Sequence, residues 1–382
     1  MKFRKVFIII IILFIVDIGI AGADEFEEIM KSQEDSLGIT DFIQESNKYT
    51  TEHFSDVDLQ EILQSAISGN IDSKKISSSI FKIFGNEIQS AITIFASIIV
   101  IVIINSILNC ITDGLQNKSV SQIAYYVQYI LIVTIILTNF SNIIASIKQS
   151  VNDMTSFTNV LVPIMMTLVI STGSVTTASV MQPIIVFMIT LIGNFINNVA
   201  IPLILMSTAL GIISQMSDRV QIGRLSKRIK TSTIWVIGII LTIFVTMVSV
   251  NGNLSVSVDA VAAKTAKTAV SNLVPLVGKI LGDAMESVLG CSNILKNAIG
   301  VVGVIVVIAI SISPIIKLLL FMSIYYLGSA ICEPIADVKI VKLFDQMGDT
   351  FKVLLALLCS MSVMIIIGTA LIVKISNIGS VS

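Results

Sequence analysis

The chain has 382 residues, 54% of them hydrophobic and 13% charged, with a mean hydropathy of +0.94. An ordinary soluble domain is about 25% charged, so this composition excludes a water-soluble fold and indicates an all-α polytopic membrane protein. The net charge of −1 hides two unlike parts: Asp24 to Glu87 hold 14 acids and 5 bases, a net of −9, and the remainder carries +8. No basic patch is interleaved with aromatics, which argues against nucleic acid as a partner.

Three regions emerge from this pattern. Residues 1–23 read as a secretory leader, with Lys2, Arg4 and Lys5 before an apolar core and Ala21-Gly22-Ala23 before Asp24. Asp17 lies late in that core, so an uncleaved anchor is the alternative; both versions place the residues after Ala23 on the outer face. Residues 24–87 form an acidic extracytoplasmic region with amphipathic helices at Val57–Ser68 and Ile76–Ile88. Gly69-Asn70 closes the first, as a helix C-terminus requires. A solvated stalk with local helix is the other reading of this region.

Residues 88–382 form the multi-spanning domain, with about seven to eight transmembrane or re-entrant elements at about 20 residues per span. The apolar segments are Ile88–Ile111, Ile123–Ile147, Phe157–Ser171, Val180–Ala200, Pro202–Met216, Thr231–Val250, Ile294–Ser313, Pro314–Ile331 and Val353–Ile375. Phe157–Leu210 holds no charged residue, yet Pro163, Pro183 and Pro202 punctuate it, around a hydroxyl-rich bend at Ser171–Ser179 that contains Gly173. Phe157–Ile170 is short for a span and is read as broken or re-entrant, which is tolerated where protein or a water-filled cavity covers the backbone. Leu161-Val162-Pro163 recurs 112 residues on as Leu273-Val274-Pro275, and Pro202 recurs as Pro314 at the same offset. This suggests a parallel repeat, 88–200 and 201–312; chance likeness of two apolar stretches is the competing reading.

Orientation comes from the loop Ser217–Ser232, which carries Arg219, Arg224, Lys227, Arg228 and Lys230 against Asp218 alone. Such a loop is expected in the cytoplasm. The lysines Lys264, Lys267 and Lys279 mark Asn251–Ser292 as an amphipathic element on the outer face, dipping at Pro275. The side of the charged segment Glu333–Lys352 depends on whether Ala266–Leu289 stays outside.

Candidate sites are few. Lys317 stands three residues after Pro314 and costs about 2.5–3.5 kcal/mol if central in a bilayer; it either faces a cavity or snorkels from a helix end. Asn194, Asn197 and Asn198 cluster before Pro202, and Asn105 and Asn109 share a helical face. These amides are either packing bonds between helices or the lining of a polar path. Cys110, Cys291, Cys332 and Cys359 are scattered and read as small hydrophobes. His53 is the sole histidine, and no P-loop, paired catalytic carboxylates or metal-ligand spacing occurs. The expectation is a protein with no enzymatic activity and no cofactor.

The order and spacing of several short motifs carry a resemblance. They are Ser121-Gln-Ile-Ala-Tyr125, Asp153-Met-Thr-Ser-Phe157, Leu161-Val-Pro163, Gln182-Pro183, Ser217-Asp-Arg219, Arg224-Leu225, Lys264-Thr-Ala-Lys267, Asn272-Leu-Val-Pro275 and Leu295-Lys-Asn-Ala-Ile-Gly-Val-Val-Gly303. The chain resembles the stage III sporulation protein AE family of endospore-forming Firmicutes, from about Leu59 to its end. The resemblance implies a multipass protein of the mother-cell membrane around the forespore. It implies a secretion-like or channel complex acting at engulfment, with other stage III subunits including an ATPase as partners. Membrane lipids are partners by composition, and a homo-oligomer is a further candidate, the oligomeric state itself not being readable from the residues. A stand-alone secondary transporter and a non-conducting scaffold are the alternatives. Coupled carriers place acids within their spans, and these apolar segments hold essentially none.

Overall fold

The computed structural model describes residues 29–50, 58–69, 73–114, 118–216, 222–273 and 278–376. The leader, His53, Pro275 and Arg219 lie outside those residues, and the side chains of Asn105, Asn109 and Cys110 are likewise not described. Every regular element among the described residues is helical: α1 (Ile39–Thr50), α2 (Leu59–Ser68), α3 (Ser73–Gly114), α4 (Lys118–Ser171), α5 (Val175–Phe195), α6 (Ile201–Met216), α7 (Gly223–Leu273), α8 (Gly278–Cys332) and α9 (Val338–Ser376). A π-helical turn, Ile196–Ala200, joins α5 and α6 into one rod. The all-α membrane class expected from composition is what the fold shows, with six helices among the described residues long and apolar enough to cross a bilayer.

The sequence segments merge into these six. Ile123–Ile147 and Phe157–Ser171 belong to α4, Val180–Ala200 and Pro202–Met216 to the α5–α6 rod, and Ile294–Ser313 and Pro314–Ile331 to α8. Phe157–Ile170 is therefore neither broken nor re-entrant. A proline inside a helix removes one hydrogen bond and costs about 3 kcal/mol. A reversal in an apolar setting would strand several peptide groups, at several kcal/mol each. Continuing the helix is the smaller penalty, and α4, α5 and α8 each carry their proline internally. At Pro202 the chain uses another device. The preceding turn widens, and the Ile201 N–H reaches back five residues to the Ile196 carbonyl. A π-turn of this kind relieves the clash a proline ring makes with the carbonyl four residues earlier.

Successive long helices run antiparallel. The ends of α6 and α8 and the starts of α7 and α9 share one end, here the basic end, with Tyr129 in the first half of α4; the α4–α5 turn and Asp259 of α7 share the far end. Glu333–Lys352 therefore lies on the side of the basic loop, and most of it is the start of α9. Asn251–Ser292 is not a separate amphipathic piece, because α7 and α8 simply extend through its described part.

α8 is the hub, packed on α3, α4 and α9. Its glycines permit close approach, as expected: a Cβ on Gly300 would meet Val373 at 2.5 Å, and one on Gly303 would meet Leu161 at 2.8 Å. An aromatic layer ties three helices, with Phe351 of α9 5.7 Å from Phe140, 5.6 Å from Phe321 and 5.4 Å from Tyr325 between ring centroids.

The acidic region is folded against this body. Asp58 caps α2 by accepting from the Gln60 amide at 2.9 Å, and Gly69 ends it in a left-handed conformation, φ 74°. Phe42 and Tyr49 of α1 meet Phe157 of α4 at 6.0 and 5.8 Å. Gln33 exchanges hydrogen bonds with Ser292 and the Val288 carbonyl of α8. Asp41, Glu45, Lys48 and Glu61 face outward. Continuity of α4 makes Pro163 dispensable. Pro163→Ala is expected to keep the fold and to raise stability in detergent by about 1–3 kcal/mol; a lower melting midpoint, or altered protease sites near 163, would show that a bend is required there.

Candidate functional site: charges and amides inside the bundle

The bundle gathers its polar side chains at four places. At the basic end, α7 begins at Gly223, so Arg224, Lys227, Arg228 and Lys230 stand on helix rather than in the loop the sequence suggested. Arg224, Lys227 and Arg228 remain exposed. Lys230 is 6% exposed, and its ammonium donates to the Thr350 hydroxyl at 2.6 Å and the Gln346 carbonyl at 3.2 Å. Thr350 lies 3.2 Å from the Thr208 hydroxyl. Ser207 and Ser226 each donate to the other's carbonyl. Gly211 leaves room for the Gln346 amide, into which any Cβ at 211 would run. Asp349 is within electrostatic reach of Lys230 and accepts from the Tyr326 hydroxyl at 2.8 Å. Thus α6, α7, α8 and α9 converge on one buried lysine.

The second place is the Lys317 ammonium, which meets Glu87 of α3 at 3.1 Å, while Ser313 donates to the same carboxylate oxygen at 3.4 Å. Lys317 neither snorkels alone nor faces a cavity unpaired; it is matched by an acid that the segment boundaries hid. Pro314 itself is buried one turn away in the same helix. The spans are not free of acids either. Glu87, Asp153, Asp345 and Asp349 all lie within the long apolar helices, and Asp259 ends one. The apolar segments read from the sequence stop short of each of them, whereas the helices run on through them.

The third place is the α4–α5 turn. Gly173 adopts φ 85°, which suits a residue without Cβ. The residue before α5, Ser174, makes no side-chain capping bond. The cap comes instead from Asp259 of α7, which accepts from the Thr176 amide at 3.0 Å, the Thr177 amide at 2.9 Å and the Thr177 hydroxyl at 2.7 Å. A carboxylate is favoured there by the free amides and the dipole of a helix N-terminus. The bend is a hairpin tip latched by a distant carboxylate.

The fourth lies midway along two helices. Asn197, in the π-turn, donates to Asn152 of α4 at 2.7 Å. Gln149, Asn152, Asn194 and Asn198 face outward beside Lys148 and Asp153, and Gly193 sits against Thr155. Pro183 and Pro202 are exposed on the same rod, Pro202 one turn after Asn198. Sequence reasoning missed Lys296, a fully buried lysine of α8 whose ammonium donates to Asn293 at 3.1 Å. The one signal for it was a lysine inside an otherwise apolar turn. Among the described residues no group of three or more His, Cys, Asp or Glu side chains lies close enough to hold a metal.

An all-α bundle of six membrane-length helices, with paired charges and amides inside it, defines a polytopic membrane protein. The family model described as stage III sporulation protein AE matches residues 57–376, so the chain belongs to that family. A similar protein is the stage III sporulation protein AE of Bacillus subtilis (strain 168), 28% identical over 300 residues, which cover 78% of this chain and 75% of the relative. No solved structure matches the chain. Membership carries a sporulation role and a multi-pass membrane character.

The Glu87–Lys317 pair is testable as a unit. Glu87→Gln and Lys317→Met are each expected to lower the unfolding free energy, because each leaves one charge unmatched, and together they should cost less than their sum, with a coupling of about 0.5–3 kcal/mol. Strict additivity in detergent-solubilised protein would show that the two charges do not meet. Asp259→Ala should cost about 0.5–2 kcal/mol through loss of the cap and should speed proteolysis at the 171–175 turn; unchanged cleavage there would rule out the latch.

Proposed function

We propose that this chain is an integral membrane component of a channel-like or secretion-like assembly between mother cell and forespore, required for late forespore development. It resides in the mother-cell membrane that surrounds the forespore, works with the other stage III subunits and an ATPase, and carries no catalytic centre of its own. The observation that carries the reading is family membership over most of the chain. Support comes from the acidic α1–α2 layer, which presents Asp41, Glu45 and Glu61 outward from the side of the body opposite the basic end. Such a layer offers charge for a partner domain to read, and charge complementarity sets partner choice and association rate.

A stand-alone secondary transporter is the second reading. The intramembrane pair Glu87–Lys317 and the buried Lys230 favour it, because charges inside spans commonly mark ion or substrate paths. Co-purification from sporulating cells separates the two. With Asp41, Glu45 and Glu61 each changed to Lys, recovery of partner subunits should fall at least about fivefold at an unchanged membrane level of the chain, a loss of about 1 kcal/mol by the relation of affinity to free energy. Full recovery of partners with this triple variant would remove the docking role. Solute uptake by the purified chain alone in liposomes would favour the transporter instead.

A further inference from the structure

Three lysines reach in between the helices, and they are not matched alike. Lys317 has Glu87 at 3.1 Å. Lys230 has two oxygen acceptors, with Asp349 in electrostatic reach. Lys296 of α8 is 0% exposed, yet its ammonium meets a single neutral oxygen, that of the Asn293 amide at 3.1 Å. An ammonium has three N–H donors. Among the described residues the other two find no acceptor, and no carboxylate stands against the charge. The amide oxygen of the adjacent Asn297 is also buried without a donor.

An unpaired charge is among the costliest groups a fold can take out of water. What shuts Lys296 from water follows from helix geometry. Residues four apart lie on one face of a helix, so Val288, Ser292 and Lys296 succeed one another along one line of α8. Gln33 bonds to the first two, donating to the Val288 carbonyl and accepting from the Ser292 hydroxyl. The chain runs on from Gln33 into α1, and both α1 and α2 pack on α8. The N-terminal layer therefore lies over the line that Lys296 continues.

Opposed forces act on that layer. Its inner face is apolar, through Ile39, Phe42 and Ile43 of α1 and Leu59, Ile62 and Leu63 of α2, and burial of these side chains draws it onto the body. The Ser46 hydroxyl on the same inner face is buried without a partner, which weakens the contact as the bare ammonium does. The outer face is solvated already, with Asp41, Glu45, Lys48 and Glu61 exposed. Gly69, in a left-handed conformation at φ 74°, ends α2 on the side of α3 and is free to absorb the backbone change of a hinge.

We infer that the α1–α2 layer is a displaceable strap, closed over α8 in one position and lifted in the other, where Lys296 regains water. The unmatched charge of Lys296 raises the closed position and so keeps the lifted one within reach. The acids that the layer presents are then carried on a moving part. The inference holds whichever partner reads those acids, because it rests on the contact between the layer and α8.

Hydrogen–deuterium exchange of the full chain in detergent, read by mass spectrometry, tests it. Amides of Ile39–Thr50 and Leu59–Ser68 should exchange together, and faster than those of residues 299–307 in α8, as a unit that opens by itself does. Lys296→Met removes the charge and keeps the bulk. It should slow exchange of α1 and α2 at least about tenfold, the factor that about 1.4 kcal/mol produces. Loss of a matched lysine would do the reverse, since it strands a buried partner. Exchange of α1 and α2 no faster than that of residues 299–307 would overturn the separate opening. Unchanged or faster exchange in Lys296→Met would overturn the part played by the charge.

Discussion

A peptide group removed from water without a hydrogen bond costs several kcal/mol, and this constraint orders the whole molecule. Nearly every described residue is therefore helical, and the chain reverses only at short connections. Prolines at 163, 183 and 314 are absorbed inside helices because one lost bond costs less than a reversal. Where the backbone does deviate, at the π-turn before Pro202, it stays hydrogen-bonded through a five-residue reach. At the α4–α5 turn the free amides find a carboxylate from another helix.

Much of this was legible in the residues. Composition alone fixed the class, because no soluble core is so poor in charge. Gly69, Gly300 and Gly303 behaved as their local chemistry requires, one ending a helix and two admitting neighbours. The family resemblance rested on the order of short motifs and is matched over residues 57–376. The hidden part was pairwise. Glu87 lies 230 residues from Lys317 in sequence, and nothing local says that they meet. Lys230 read as one more loop cation, since its neighbours Arg224, Lys227 and Arg228 are exposed; only the packing of α9 turns it inward. Proline misled for a related reason: its local preference points to a break, and the cost of a break is set by surroundings that the sequence does not display.

Three of the interior charges share a design. Each is met by hydroxyls, amides or an opposite charge from a helix distant in sequence: Lys230 by Thr350 and the Gln346 carbonyl, Lys317 by Glu87, Asp259 by Thr176 and Thr177. Polar contacts of this kind add modestly to the stability of a membrane bundle, about 0.6 kcal/mol each on average. Their larger effect is on register. An apolar helix can slide along an apolar neighbour with little penalty, whereas a shift of one turn would tear a lysine from its acceptors. The three charges stand on α7 and α8, so they fix those helices against α3, α5 and α9.

Register of this kind has a consequence for a helix set longer than the bilayer is thick. Lipid cannot position a rod of about 60 Å along the membrane normal, since sliding it exchanges one apolar turn for another. Polar side chains can supply such a mark, and the Asn152–Asn197 pair forms a polar level at the midpoint of two helices at once, with Gln149, Asn194 and Asn198 exposed beside it. The α1–α2 layer packs on Phe157, just beyond that level, and its exposed charges are unsuited to hydrocarbon. The two markers are independent in sequence and agree in space.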